Sequence, residues 1–220
     1  MLAESLALAQ GVTALGFDLP LSALEKLLAY LDLLAHWNRV YNLTAVRDRG
    51  DMLRQHLLDC LAVVPSLQRQ TRGQPARVLD VGSGAGLPGI VLAIALPDAH
   101  VTCVETVGKK ASFIRQASGE LRLGNVDVVH ARVESMETLP CDVVVSRAFS
   151  SLARFTDSTR HHLGDSADAA RTPIWLAMKG KIPIDEIAEL PPGVRVFHVE
   201  QIQVPTVDAE RCLVWIETAN

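Results

Sequence analysis

The segment Val78-Leu79-Asp80-Val81-Gly82-Ser83-Gly84-Ala85-Gly86-Leu87-Pro88-Gly89 limits what this chain can fold into more than any other stretch of its 220 residues. A short β-branched, apolar run reads as a buried strand, the alternating glycines as a tight turn, and the apolar residues from Pro88 onward as a helix. Glycine lets the backbone turn sharply and come within contact of a ligand that a Cβ would hold off. Two ligand classes fit such a turn: a dinucleotide pyrophosphate and an adenosyl cofactor.

The rest of the chain bears on that choice. Strand patterns at 77–81, 100–105, 126–130, 141–146 and 174–178 alternate with helical patterns at 88–96, 108–121, 134–137, 150–163 and 184–190. Such alternation predicts parallel strands with helices on both faces. The last two strand patterns, 195–204 and 211–218, are joined by a segment too short for a crossover helix, so they must run antiparallel. A Rossmann-like, mostly parallel seven-stranded sheet closed by a C-terminal antiparallel hairpin is the arrangement of class I methyltransferases. Dinucleotide-binding domains keep the sheet parallel. Upstream, Pro20 opens a segment with Leu24, Leu27, Leu28, Leu31, Leu34 and Trp37 at helical spacing, and a second helix is expected over 52–67. The expected organisation is an integral helical cap, 1–75, in front of an α/β core, 76–220.

Asp80 lies two residues before Gly82. A carboxylate at that strand end suits the ammonium of an adenosyl cofactor's amino-acid part and opposes a pyrophosphate. It can equally cap the turn through backbone N–H groups. The G-x-G-x-x-G run over 84–89 keeps a nicotinamide cofactor open. Glu105 ends the second strand, where a carboxylate accepts hydrogen bonds from ribose hydroxyls in either class. Val133 and Glu134 follow the third strand, facing an adenine or simply starting a helix with an acid. Arg147 follows the fourth strand, and a buried strand end seldom carries an arginine without a partner or a ligand.

Composition is that of an ordinary α/β protein, 49% hydrophobic and 21% charged. The longest uncharged apolar run, 89–96, is far short of a bilayer span, and the N-terminus lacks a basic secretory region, so a cytoplasmic protein is expected. Cys60, Cys103, Cys141 and Cys212 form no CxxC pair, which predicts reduced thiols and no metal site. Net charge is −4, with the acidic excess in the C-terminal part. Earlier in the chain, Arg39, Arg47, Arg49 and Arg54 gather with His36 and His56, opposed only by Asp48 and Asp51. That patch can meet phosphates or be a solvated face.

Taken together, these residues resemble the RsmG (GidB) family, bacterial methyltransferases of 16S ribosomal RNA that act at guanine N7. The resemblance covers nearly the whole chain. It is carried by Tyr41-Asn42-Leu43-Thr44-Ala45-Val46-Arg47, Arg54-Gln55-His56-Leu57-Leu58-Asp59, the glycine loop, Arg132-Val133-Glu134, Ser146-Arg147-Ala148-Phe149, Ala177-Met178-Lys179-Gly180 and the tail 204–211. Cys60 departs from the serine common in the family, which puts nothing catalytic in doubt. The resemblance implies S-adenosyl-L-methionine bound by Gly82, Leu87, Val133, Glu134 and Arg147, with Asp80, Gly84 and Glu105 also lining the site. It implies that Arg47, Arg54, His56 and Lys179 face 16S ribosomal RNA or the small ribosomal subunit, and that the protein acts as a monomer.

Guanine N7 has a lone pair and no proton to lose, so no general base is expected among the catalytic residues. The sequence agrees. No Asn/Asp-Pro-Pro-aromatic run follows the fourth strand, as exocyclic amino methylation requires, and Cys141 starts that strand instead of ending it. The rival readings are an NAD-dependent oxidoreductase and a non-catalytic RNA-binding assembly factor.

Overall fold

The computed structural model describes residues 2–147, 149–164 and 172–219, so Ala148 of the Arg147 motif lies outside the described residues. Seven strands form one sheet: β1 (Arg77–Val81), β2 (His100–Glu105), β3 (Val126–His130), β4 (Val143–Ser146), β5 (Ile174–Lys179), β6 (Val194–Ile202) and β7 (Arg211–Thr218). Their order is β3-β2-β1-β4-β5-β7-β6. β1 to β5 run parallel, and β7 lies antiparallel to both β5 and β6. The chain builds outward from β1 to β3 and then returns to place β4 against β1. That reversal is a topological switch point, where ligands of open α/β sheets bind.

Helices cover both faces. On one side pack α1 (Leu2–Ala14), α2 (Leu21–Tyr41), α3 (Arg49–Met52), α4 (Asp59–Leu61), α5 (Val64–Gln70), α6 (Gly89–Ala95) and α7 (Gly108–Glu120). On the other lie α8 (Leu152–Thr159) and α9 (Ile184–Ala188). Alternation along the strands feeds the two cores: Val78 and Val143 face the first, Leu79, Val81 and Val144 the second. The N-terminal helices share their core with the sheet; Tyr30, Leu27 and Leu34 of α2 are fully buried against it.

The structure corrects the expected helix over 52–67. α3 passes into a six-residue π-helical turn, Leu53–Leu58, then the short α4, and α5 starts separately at Val64. A π turn widens the backbone locally, which no apolar periodicity announces, and such turns favour functional sites. Smaller shifts concern Cys141, which makes an isolated bridge to Leu163 before β4 begins, and α8, which gives way to a 3₁₀ turn over Arg160–His162.

Candidate active site

The glycine loop leaves β1 at the switch point. Gly82 and Gly84 hold positive φ, +70° and +60°, and a Cβ on Gly82 would meet nothing within 4 Å, so the space above it is open for a ligand. Gly89 differs: a Cβ there would come within 2.7 Å of Asp80 Oδ2. That closeness lets the Gly89 N–H donate to Asp80 Oδ2 at 2.8 Å, tying the strand end to the start of α6. Asp80 is fully buried, and its Oδ1 has no hydrogen-bond partner among the described residues. Burial pushes its carboxyl up to about 7, against the pull of the Gly89 N–H. The capping reading of Asp80 is therefore seen directly, in one oxygen, and the other oxygen leaves the ligand reading open. Leu87 is buried in the loop.

Glu105, at the end of β2, is also buried. Its Oε2 accepts from the Gly84 N–H and its Oε1 from the Val107 N–H, each at 2.7 Å. The carboxylate is thus oriented by two loops, and its remaining lone pairs can accept from a diol. Val133 is buried in a single 3₁₀ turn, Val133–Ser135, whose first N–H groups have no partner within the turn. Glu134 is exposed and reaches toward Ser158 at 3.4 Å.

Arg147 leaves β4 on the other side of the switch point. Its guanidinium donates to the Gln55 carbonyl at 3.3 Å and to His56 Nδ1 at 3.5 Å. Because the arginine can only donate, Nδ1 accepts and Nε2–H faces Thr44 Oγ1 at 2.8 Å. Burial, then the Arg147 charge, lowers the His56 pKa, which keeps the ring neutral. Asn38 fixes this loop from α2, donating to the Val46 carbonyl and accepting from the Thr44 N–H. Asp59 sits between two arginines: Oδ1 accepts from Arg211 Nε at 2.6 Å, and Oδ2 is 3.7 Å from Arg147 Nη1. Residues 59 and 211 are joined only by folding, since β7 brings Arg211 beside the end of β5 through the Lys179–Cys212 register. A cleft of about 310 Å³ opens there, lined by Gln55, His56, Asp59, Arg147, Lys179 and Arg211.

The basic patch comes out smaller than the sequence suggests. Arg49 pairs with Glu4 and Asp32, carboxylates absent from the local sequence, and Arg54 pairs with Asp51 at 2.6 Å. Arg39 and Arg47 keep no carboxylate among the described residues; Arg47 donates to Asn42 at 3.2 Å. Lys179 is also engaged: Glu186 of α9 holds its ammonium at 2.7 and 2.9 Å. The same Glu186 accepts from the Leu152 N–H, and Lys179 donates to the Phe149 carbonyl, so this pair anchors the segment after Arg147. His56 is a packed side chain linking the cap to Arg147. Sequence reading missed the roles of Asp59, Arg211 and Glu186, because their partners lie on other elements. All four cysteines are free and buried, and among the described residues no group of His, Cys, Asp or Glu could hold a metal. No described helix is long and apolar enough to cross a membrane.

This sheet order, with its inserted antiparallel last strand and a glycine loop at the switch point, defines the class I S-adenosylmethionine-dependent methyltransferase fold. A methyltransferase from Aquifex aeolicus described as S-adenosylmethionine-dependent superposes with a TM-score of 0.56 at 16% identity, over 77% of this chain and 93% of that one. TrmN from Thermus thermophilus gives 0.56 at 17%, over 76% and 53%. The profile of the GidB family, described as rRNA small subunit methyltransferase G, matches residues 23–214, and the chain belongs to that family. Proteins named ribosomal RNA small subunit methyltransferase G from Methylibium petroleiphilum and a Polaromonas species are 54% and 55% identical to it. Those alignments cover 95% and 94% of this chain and 92% and 90% of the relatives. Membership closes the nicotinamide reading.

Proposed function

We propose that this protein transfers the methyl group of S-adenosyl-L-methionine to N7 of a guanine in 16S ribosomal RNA. The observation that carries this reading is the buried Asp80 carboxyl, with one oxygen lacking a partner, beneath the open space over Gly82 and Gly84. A cationic group fits that oxygen, and a pyrophosphate does not. Gly82, Gly84 and Leu87 would hold the donor from below, Glu105 its ribose, Val133 and Glu134 its adenine, and Arg147 its outer edge. S-adenosylmethionine supplies an electrophilic methyl group there.

The chain's own residues then position and exclude. N7 presents a lone pair at neutral pH, so no side chain need remove a proton, and rate should come from alignment and electrostatics. The neutral His56 and the Asp59 carboxylate flank the cleft without serving as bases. Thiol chemistry is unsuited to the site: burial pushes the Cys60 thiol up to about 12. The cap, residues 1–75, presents Arg39 and Arg47 together in a separate hollow with Asn38 and Arg49, for the phosphates of an RNA loop whose guanine is reachable outside a deep A-form groove. We place the protein in the cytoplasm, acting as a monomer on the small subunit or its RNA.

A thermal-shift comparison tests the donor. S-adenosylhomocysteine should raise the melting temperature and NAD should leave it unchanged. The reverse pattern would overturn the reading.

A further inference from the structure

We propose that Asp59 reads the Watson–Crick edge of the target guanine and so determines which base is methylated; the inference rests on the function proposed above. The cleft at the ends of β4 and β5 measures about 310 Å³, at the small end of ligand pockets and suited to a single base. Its wall carries three cations, Arg147, Lys179 and Arg211, and one carboxylate, Asp59. That carboxylate is held in an uncommon way. Its side chain is only 6% exposed, yet among the described residues just one of its oxygens accepts a hydrogen bond: Oδ1 takes the Arg211 Nε–H at 2.6 Å. Oδ2 lies 3.7 Å from Arg147 Nη1, beyond hydrogen-bond distance, and forms part of the cleft wall.

Both ring nitrogens of His56 are engaged, by Thr44 and Arg147, and Lys179 is held by Glu186. Asp59 is therefore the charged acceptor facing a ligand, with the Gln55 side chain beside it in the wall. Its free oxygen and the second lone pair on Oδ1 together accept two parallel N–H donors. Among the four RNA bases, guanine alone offers two adjacent donors on that edge, N1–H and the N2 amino group. Adenine sets its N1 acceptor against the carboxylate, and the resulting repulsion rejects it. The two arginines fix the carboxylate in place. A guanine bound by this edge leaves N7, on the opposite side of the ring, facing away from Asp59 and free to react. Enzymes that act on an extruded base read it in this manner.

The test uses ribosomal RNA joined from two pieces, so that the target position carries guanosine or inosine, assembled into small subunits and assayed with the full chain. Inosine keeps N7 and N1–H and lacks only the N2 amino group. The wild type should methylate guanosine with a kcat/KM about 10- to 100-fold above inosine, as expected for loss of one buried hydrogen bond. Asp59→Asn should lower the rate on guanosine and shrink that ratio to about threefold or less. Equal rates on the two RNAs by the wild type would overturn the proposal without any variant. So would an Asp59→Asn protein that slows both substrates alike and keeps the ratio, which is the behaviour of a purely structural residue. If the wild type methylates guanosine RNA at a position other than N7, or not at all, the function proposed above falls, and this inference with it.

Discussion

The Tyr30 hydroxyl of α2 donates to the Ala85 carbonyl of the glycine loop at 2.6 Å, inside the protein and across 55 residues of sequence. Through this bond the N-terminal helices hold the glycine loop proposed to bind the donor. Tyr30→Phe leaves a buried carbonyl without its donor, which costs about 1–2 kcal/mol. Urea unfolding should register that loss, and calorimetry should show weaker binding of S-adenosylhomocysteine. Unchanged affinity would mean that the cap does not shape the loop.

Asp80 sets a pH dependence whose sign follows from its burial. Its carboxyl is pushed up from 3.8 to about 7 in the folded chain. Between those values the unfolded state has lost the proton and the folded state keeps it, so stability falls as pH rises and levels off above 7. Asp80→Asn should gain on the wild type by about 3 kcal/mol between pH 5 and 8. A ligand ammonium near Oδ1 would lower the carboxyl's pKa, so donor binding near pH 7 should release a proton. Calorimetry in two buffers of different ionisation enthalpy measures that release; none would place the cation elsewhere.

Arg47 and Arg49 are two residues apart and should behave differently. Arg49 is neutralised by Glu4 and Asp32, whereas Arg47 has, among the described residues, no carboxylate and donates to the Asn42 amide oxygen. Arg47→Ala should weaken RNA binding and reduce the slope of log affinity against log salt by about one. Arg49→Ala should lower stability and leave the slope alone. A common slope change in both would make the whole patch a phosphate surface.

The proposed transfer to N7 without a general base predicts a pattern across the carboxylates. Alanine variants of Asp59, Asp80, Glu105 and Glu134 should each lose activity together with affinity for donor or RNA. Measured kcat and both dissociation constants decide the point. One variant with no turnover and normal binding of both ligands would identify a base.

The sheet was legible because its strands are short runs rich in β-branched and apolar residues that alternate with helical patterns, and its hairpin linker is too short for a helix. The placement of Asp80, Gly82, Glu105 and Arg147 at or just past the carboxyl ends of strands beside the switch point was legible, because each follows or ends a strand-like run. The cleft beside them was not. Asp59 meets Arg211 across 152 residues, Lys179 meets Glu186 of a short helix, and Arg49 meets Glu4 of the first helix. Such pairings depend on how finished elements pack, and local spacing carries no trace of them. The π turn that carries His56 was hidden for a related reason, since its residues keep a helical apolar pattern while the backbone widens.

Mapping N7-methylguanosine along 16S ribosomal RNA, from cells with and without this protein, tests the central claim most directly. The account expects one guanine to carry the modification only when the protein is present, and to regain it when purified protein and S-adenosylmethionine are added to small subunits lacking it. Identical maps from the two sources would contradict it.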